Sequence, residues 1–234
     1  MGIGNGYKDY VRCNKKIALN KKYLDNIAKF LKSKKPDIVC LVEADSGSIR
    51  SQGTNQAEYI KEKLGFKSLA NYCKYGKHSL ISKLPYFRHL DNAVLSKYPF
   101  TKIVEHDLKR GVKKVVIEVV INNRLTLFLV HLPLARSARR NQLKQIAHIV
   151  EYSHHPKLVL GDFNTLKGDS ELDAFLSSTR MKLVSHNMKT FPSWKPKKCL
   201  DHVIYSHNIK IKKVFVPKVH FSDHLPIIID FEVR

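Results

Sequence analysis

An α/β or α+β fold, with mixed sheets covered by helices, is what this sequence predicts. Three observations carry that expectation. Short apolar runs of strand length are interspersed with stretches of helical periodicity. Two of the strand candidates flank a hairpin signal. No repeat, low-complexity stretch or linker divides the 234 residues, so residues 1–234 are read as a single domain.

The elements follow in order. Residues 20–34 carry Leu24, Ile27, Ala28 and Leu31 on one helical stripe, which Pro36 ends. Residues 38–42 are a short buried strand ending at Glu43. Thr54 is expected to cap a second helix through Ala57, Ile60 and Leu64, with Gly65 as its stop. Residues 93–95 form a strand closed by Ser96-Lys97-Tyr98-Pro99. Residues 115–121 and 125–131 flank Asn122-Asn123, a hairpin signature. Ser137 is expected to cap a helix carrying Leu143, Ile146, Ala147 and Val150. Residues 158–160 are another buried strand, stopping at Gly161. Residues 169–176 look helical, and 203–205, 210–216 and 226–231 look like strands.

Composition narrows the class. Apolar residues make up 43% of the chain, enough for a real core and too many for a disordered segment. No apolar run approaches bilayer-spanning length, and the N-terminus lacks the order of a secretory signal. Cys13, Cys40, Cys73 and Cys199 lie far apart without a C-x-x-C pair, which favours free thiols in a reducing, cytoplasmic setting and no structural zinc. A longer native N-terminus would admit a secreted or membrane-anchored form. Lys and Arg number 42 against 20 Asp and Glu, for a formal net charge of +22. Such a chain is drawn to polyanions: nucleic acid, anionic lipid or phosphorylated small molecules.

Several strand candidates end in polar residues that a fold does not need. Glu43 follows one apolar run and His131 another; Asp162 and Asn164 follow a third. Asp201 precedes His-Val-Ile-Tyr, and Asp223-His224 precedes Leu-Pro-Ile-Ile-Ile. Taken singly, each has a bland explanation: Gly161-Asp162-Phe163-Asn164 suits a turn, and Ser222-Asp223-His224 suits a turn or cap. Taken together they converge on strand ends, where ligand sites of α/β folds collect. Hard carboxylates such as Glu43 and Asp223 suit Mg²⁺ or Mn²⁺ more than zinc. A His held by a carboxylate, as Asp201 could hold His224, is oriented and kept basic. An Asp in an electropositive site can orient or deprotonate water.

The order of motifs resembles the endonuclease/exonuclease/phosphatase superfamily. Pro36-Asp37-Ile38-Val39-Cys40-Leu41-Val42-Glu43 is similar to its "PDIVxLQE". Residues 92–99, from Asn92 to Pro99, are similar to "NAILSRYP". Val130-His131-Leu132 resembles "THL", Leu160 to Asn164 "GGDFN", Leu200-Asp201-His202-Val203-Ile204 "IDYIF", and Ser222 to Pro226 "SDHxP". The resemblance implies a four-layer αββα sandwich with two mixed sheets and a metal-dependent phosphoesterase, a nuclease or other phosphodiesterase first among the options. It implies that Glu43 and Asp223 serve the metal, that Asp162 activates water, and that His131 and Asn164 contact the phosphate. His224, paired with Asp201, would face the scissile group. Asn92 and Arg136 are further substrate-contact candidates.

Three departures bear on these expectations. Val42 stands where the family has Gln. His202 replaces an aromatic and would alter the pocket wall. The family opens with a strand ending in Asn, whereas this chain opens Met1-Gly2-Ile3-Gly4-Asn5-Gly6. Either Asn5 fills that role or the strand lies upstream; the glycine-rich opening favours the second. A phospholipid or small-molecule phosphoesterase, and a non-catalytic polyanion-binding module on the same fold, are the competing readings.

Overall fold

The computed structural model describes residues 21–76, 87–184 and 187–234. Asn5 therefore lies outside the described residues. The chain enters through helix α1 (Lys21–Lys34), strand β1 (Ile38–Asp45), helix α2 (Gln56–Leu64) and strand β2 (Ser68–Cys73). There follow β3 (Leu90–Ser96), β4 (Phe100–Asp107), β5 (Val115–Ile121), β6 (Leu125–His131), α3 (Arg136–Glu151) and β7 (Lys157–Asp162). After α4 (Asp173–Thr179) come β8 (Lys182–Leu183), β9 (Asp201–Tyr205), β10 (Ile209–Phe215) and β11 (Ile228–Val233). Among the described residues no helix is long and apolar enough to cross a membrane.

Three sheets form among the described residues. One has the order β1-β3-β2, one is the β10-β11 ribbon, and the largest runs β4-β5-β6-β7-β9-β8. Among these strands only β6 and β7 pair in parallel, which the α3 crossover between them permits; the other described pairings are antiparallel. β5 and β6 are buried at every position, because both faces of the large sheet are covered. Their hairpin turns through Asn122 and Asn123 at φ +50° and +52°, the left-handed pair that a two-residue turn of this kind demands.

Three apolar clusters hold the elements together. Leu24, Ile27, Ala57 and Ile60 of the first two helices pack on Leu41, Ala93 and Leu95. Ala70, Val94, Ile117, Leu127, Leu129, Leu158 and Val203 meet between the sheets, with Ile229 and Phe231 of β11 against them. Val116, Phe128, Val130, Val159 and Ile204 face the opposite way, onto Leu143 and Ile146 of α3 and Phe175 of α4.

Local details depart from sequence expectation in instructive ways. The cap of α2 is Asn55, not Thr54; its Oδ1 accepts from Ala57 N at 3.1 Å and Glu58 N at 3.2 Å. Gly65 does stop that helix, in the left-handed conformation at φ +68°. α3 begins at Arg136 after Ala135 with no side-chain cap, so Ser137 lies inside its first turn. The 169–176 stretch divides into a 3₁₀ turn, Asp169–Leu172, and α4. β2, β4 and β8 have no counterpart among the expected elements. β4 is an edge strand, exposed or half-buried along its length, and carries too few apolar side chains to announce itself.

Candidate active site

The polar residues singled out at strand ends are brought together largely by register. β6 and β7 run in parallel with His131 opposite Asp162, and β7 and β9 run antiparallel with Asp162 opposite Asp201. One row across three strands thus carries an imidazole and two carboxylates. Gly161 makes the row possible. It sits within β7 at φ +137°, and a Cβ there would stand 2.0 Å from the Val130 carbonyl oxygen.

Asp162 is 7% exposed. Its Oδ2 lies 3.3 Å from His131 Nε2. Burial opposes its ionisation, but the hydrogen bond from His131 and the charges of His131, His224 and Lys113 hold the carboxyl below its usual value. Asn164 completes the turn at φ +51°. Its backbone N–H donates to Asp162 Oδ1 at 2.9 Å; its Nδ2 donates to Leu132 O at 2.8 Å and to Asp162 Oδ2 at 3.0 Å. The Asn164 amide is therefore committed to aiming Asp162.

Glu43 arrives from the neighbouring sheet. The pairing of β1 with β3 slips between Leu41 and Ala44, and Glu43 stands in that bulge at φ +58°. A bulge re-aims a side chain out of the strand alternation. Asn92, fully buried in β3, accepts the Glu43 N–H on its Oδ1 at 3.3 Å, and its Nδ2 has no protein partner among the described residues. Glu43 Oε1 lies 3.8 Å from His131 Nε2 and is bonded by the Lys74 ammonium. Burial would raise its carboxyl, but the charges of Lys74 and His131 bring it well below the carboxylate range.

The other wall is built by the C-terminal turn. His224 Nδ1 lies 2.7 Å from Asp201 Oδ2, which also accepts the Thr190 hydroxyl at 2.5 Å. Burial works against a charged His224; the hydrogen bond and charge of Asp201, with Asp162 and Asp223, overcome it and push the imidazole up to about 9. Phe191 lies against the same ring, with centroids 4.9 Å apart. The 190–198 loop grips the turn through Ser193 N to Asp223 O at 2.7 Å, Ser193 Oγ to Ser222 O at 2.6 Å and Leu225 N to Thr190 O at 2.9 Å. Burial raises the Asp223 carboxyl, and the charge of His224 opposes it.

Lys74 and Lys113 were not among the sequence candidates, whereas Thr190 and Phe191 belong to the Thr190–Pro196 loop before Asp201, whose aromatic could stack on a base, insert at a lipid surface or merely pack. Lys113 bonds His131 Nε2; burial lowers its ammonium, and Asp162 and Glu43 pull the other way. The Lys113-Lys114 doublet opening a fully buried strand was a usable signal. Lys74 had none, because β2 was not foreseen.

Two further residues named from the sequence, Arg136 and His202, are placed as follows. Arg136 opens α3 with its side chain 63% exposed, 3.9 Å from Glu171, and Glu171 is not part of the cluster. The buried place on Glu171 belongs to Arg139, whose Nη2 lies 2.6 Å away. His202 does not present its ring as a pocket wall. It is 2% exposed, lies 2.7 Å from Thr165 Oγ1 and meets Phe163 edge-on, because the residue after Asp201 points to the opposite face of β9.

Behind Glu43, Asp91 is buried among Ser46 and Asn71, and its Oδ1 has no partner among the described residues. Burial pushes its carboxyl up to about 6, against hydrogen bonds from Ser46 and Asn71.

The family model for the Endonuclease/Exonuclease/phosphatase family matches residues 5–224. The chain belongs to the endonuclease/exonuclease/phosphatase family. Among solved structures it is similar to a mannosyl-6-phosphatase from Bacteroides thetaiotaomicron, at a TM-score of 0.71 and 14% identity, over 99% of this chain and 96% of that one. It is similar to the human Nocturnin catalytic domain with bound sulfate, at 0.66 and 19%, over 92% and 87%. Beta toxin from Staphylococcus aureus matches at 0.62 and 18%, over 88% and 90%. No curated protein sequence matches the chain. As a member of the family this protein is a phosphoesterase, of a group that is generally metal-dependent, and a phosphoester substrate is implied.

Proposed function

We propose that this family member is a Mg²⁺-dependent phosphodiesterase acting on nucleic acid, with Mn²⁺ as a substitute metal. One observation carries the reaction class: buried Asp162, 3.3 Å from His131, stands in register with Asp201, which holds the His224 imidazole at 2.7 Å. That is the pairing of base and acid that hydrolysis of a phosphate ester requires.

The donor set fits a hard cation. Glu43 and Asp223 offer carboxylate oxygen, the donor type that hard cations take. Mg²⁺ is commonly held by one or two carboxylates and keeps several waters, so such a set suits it better than zinc. Glu43 and Asp223 would hold the metal, which when bound supplies charge to a phosphoryl oxygen.

The remaining work falls to the chain. Asp162 accepts a proton from the attacking water, aimed by Asn164 and His131. Burial lowers the His131 imidazole, and its Nε2 lies between Lys113 and Asp162, 3.3 Å from Asp162 Oδ2. His224 donates toward the phosphoryl or leaving oxygen, and Lys113 adds positive charge beside His131. The net charge of +22 supports a polyanionic substrate, nucleic acid first. Trp194, half-buried in the 190–198 loop, is a candidate to stack on a base. The likeness to a mannosyl-6-phosphatase keeps a phosphorylated small molecule, or a phospholipid, as the second reading. The joint presence of Asp162, Asp201 and His224 weighs against a non-catalytic polyanion binder.

The same proposal includes a four-layer αββα arrangement over a single domain, supported by the three clusters that pack helix on sheet, sheet on sheet and sheet on helix. It also includes a cytoplasmic setting, supported by the wide spacing of the four cysteines without a C-x-x-C pair. The deciding test is a panel of plasmid, abasic-site duplex, RNA, sphingomyelin, inositol phosphates and a generic phosphodiester, each with Mg²⁺ and with EDTA. Cleavage of a nucleic acid that EDTA abolishes is expected. Turnover insensitive to EDTA would sink the metal mechanism, and turnover confined to lipids or sugar phosphates would favour the second reading.

A further inference from the structure

The site carries a cation of its own on the proposed metal ligand. Lys74 follows β2 and has a side chain only 4% exposed. Its Nζ bonds Glu43 Oε1 and rests 4.9 Å from the centre of the Tyr75 ring. The backbone beneath it is tied on both sides: Lys74 N donates to Leu90 O at 3.1 Å, and Lys114 N donates to Lys74 O at 2.9 Å. The ammonium is therefore delivered to Glu43 by anchored chain, unlike a surface lysine that samples solvent.

An ammonium hydrogen-bonded to a carboxylate oxygen draws on the same negative charge that a metal needs there, so the two cations weaken each other's hold. Away from bulk water, an ammonium and a divalent ion on one carboxylate also repel each other strongly. We propose that Lys74 is a resident counter-ion of Glu43, competing with the divalent metal for Oε1 and so setting how much metal the protein requires. The inference rests on the reading of Glu43 as a metal ligand. Asn92 holds the Glu43 backbone N–H, a contact that does not involve the carboxylate. Lys113 provides the comparison: it carries the same charge in the same cluster but bonds His131, not Glu43.

The test titrates the full metal-free chain with Mn²⁺ and follows free Mn²⁺ by electron paramagnetic resonance. Lys74→Met is expected to lower the Mn²⁺ dissociation constant about tenfold, and Lys113→Met by distinctly less. A dissociation constant in Lys74→Met equal to or weaker than wild type overturns the inference. So does an equal tightening in Lys113→Met, which would mean that loss of charge alone is at work. Glu43→Gln separates the underlying reading: Mn²⁺ binding that survives it, or no binding in wild type and Lys74→Met alike, removes Glu43 as the ligand. Circular dichroism checks folding. Should Lys74→Met not fold, Lys74→Gln, which retains a neutral hydrogen bond to Glu43, is judged by the same outcomes.

Discussion

Asp201 and His224, 23 residues apart in sequence, meet at 2.7 Å between Oδ2 and Nδ1. Asp201 opens a strand of the large sheet, and His224 lies on the turn before β11. Their contact fixes the imidazole and leaves Nε2 as the ring nitrogen facing away from Asp201. Asp201→Asn keeps the shape but can offer the wrong group to Nδ1. Turnover is expected to fall by about 10²-fold or more, with KM changed little. A variant within a factor of about two of wild type would show that His224 does not depend on Asp201.

Asp162 and His224 are each expected to be indispensable. Asp162→Ala and His224→Ala should each reduce turnover by about 10³-fold, while circular dichroism remains that of the wild type. Near-normal turnover in either variant would mean that the site is misplaced.

Gly161 sets the spacing of β6 and β7. In Gly161→Ala the new methyl group would meet the Val130 carbonyl, and the backbone is already at a φ that L side chains avoid. A loss of about 2 kcal/mol or more is expected in urea unfolding, together with lost turnover, since Asp162 is the next residue. Wild-type stability in this variant would contradict the close strand approach.

Asp91 gives a pH dependence whose sign can be worked out. Its folded pKa is raised from 3.8 to about 6. Between those values the folded chain binds more protons than the unfolded chain, so stability falls as pH rises through the window. The shift corresponds to about 3 kcal/mol at most. Asp91→Asn should flatten this slope and gain relative to wild type as pH goes from 4 to 7 by about that amount or less. Unfolding curves at the two ends of the window check it; a constant difference between the proteins would refute the buried-acid assignment.

Arg139 and Glu171 form an ion pair with side chains 1% and 2% exposed. Removing one partner strands the other's charge, so Arg139→Ala is expected to cost about 3–5 kcal/mol. Arg136→Ala, whose side chain is 63% exposed, should cost under about 1 kcal/mol. Equal losses in the two variants would reverse the assignment.

The strand-end residues were legible one by one because apolar runs stop abruptly at Glu43, His131, Asp162 and Asp201, and the motif order then named the family. The β5–β6 hairpin was legible in its bounds, since Asn122-Asn123 is a local turn signal between two largely apolar runs. Local patterns of this kind place turns and caps closely, as Asn55 replacing Thr54 shows, but they miss weakly apolar strands such as β4.

Neighbourhood is a different matter. That His131, Asp162 and Asp201 form one row depends on the registers of β6, β7 and β9, and register is a property of paired strands. That Asn164 spends its amide on Asp162, and that Arg139 rather than Arg136 takes the buried place on Glu171, depends on which side chains end up within hydrogen-bond reach. Lys74 carries no sequence signal at all, because a lysine after a half-buried strand looks solvated until another sheet brings Glu43 to it. The reaction class was set by residue types in order along the chain. The charge state of each group, and which cation sits on which carboxylate, were decided by burial and by contacts tens of residues apart, where short-range pattern holds no information.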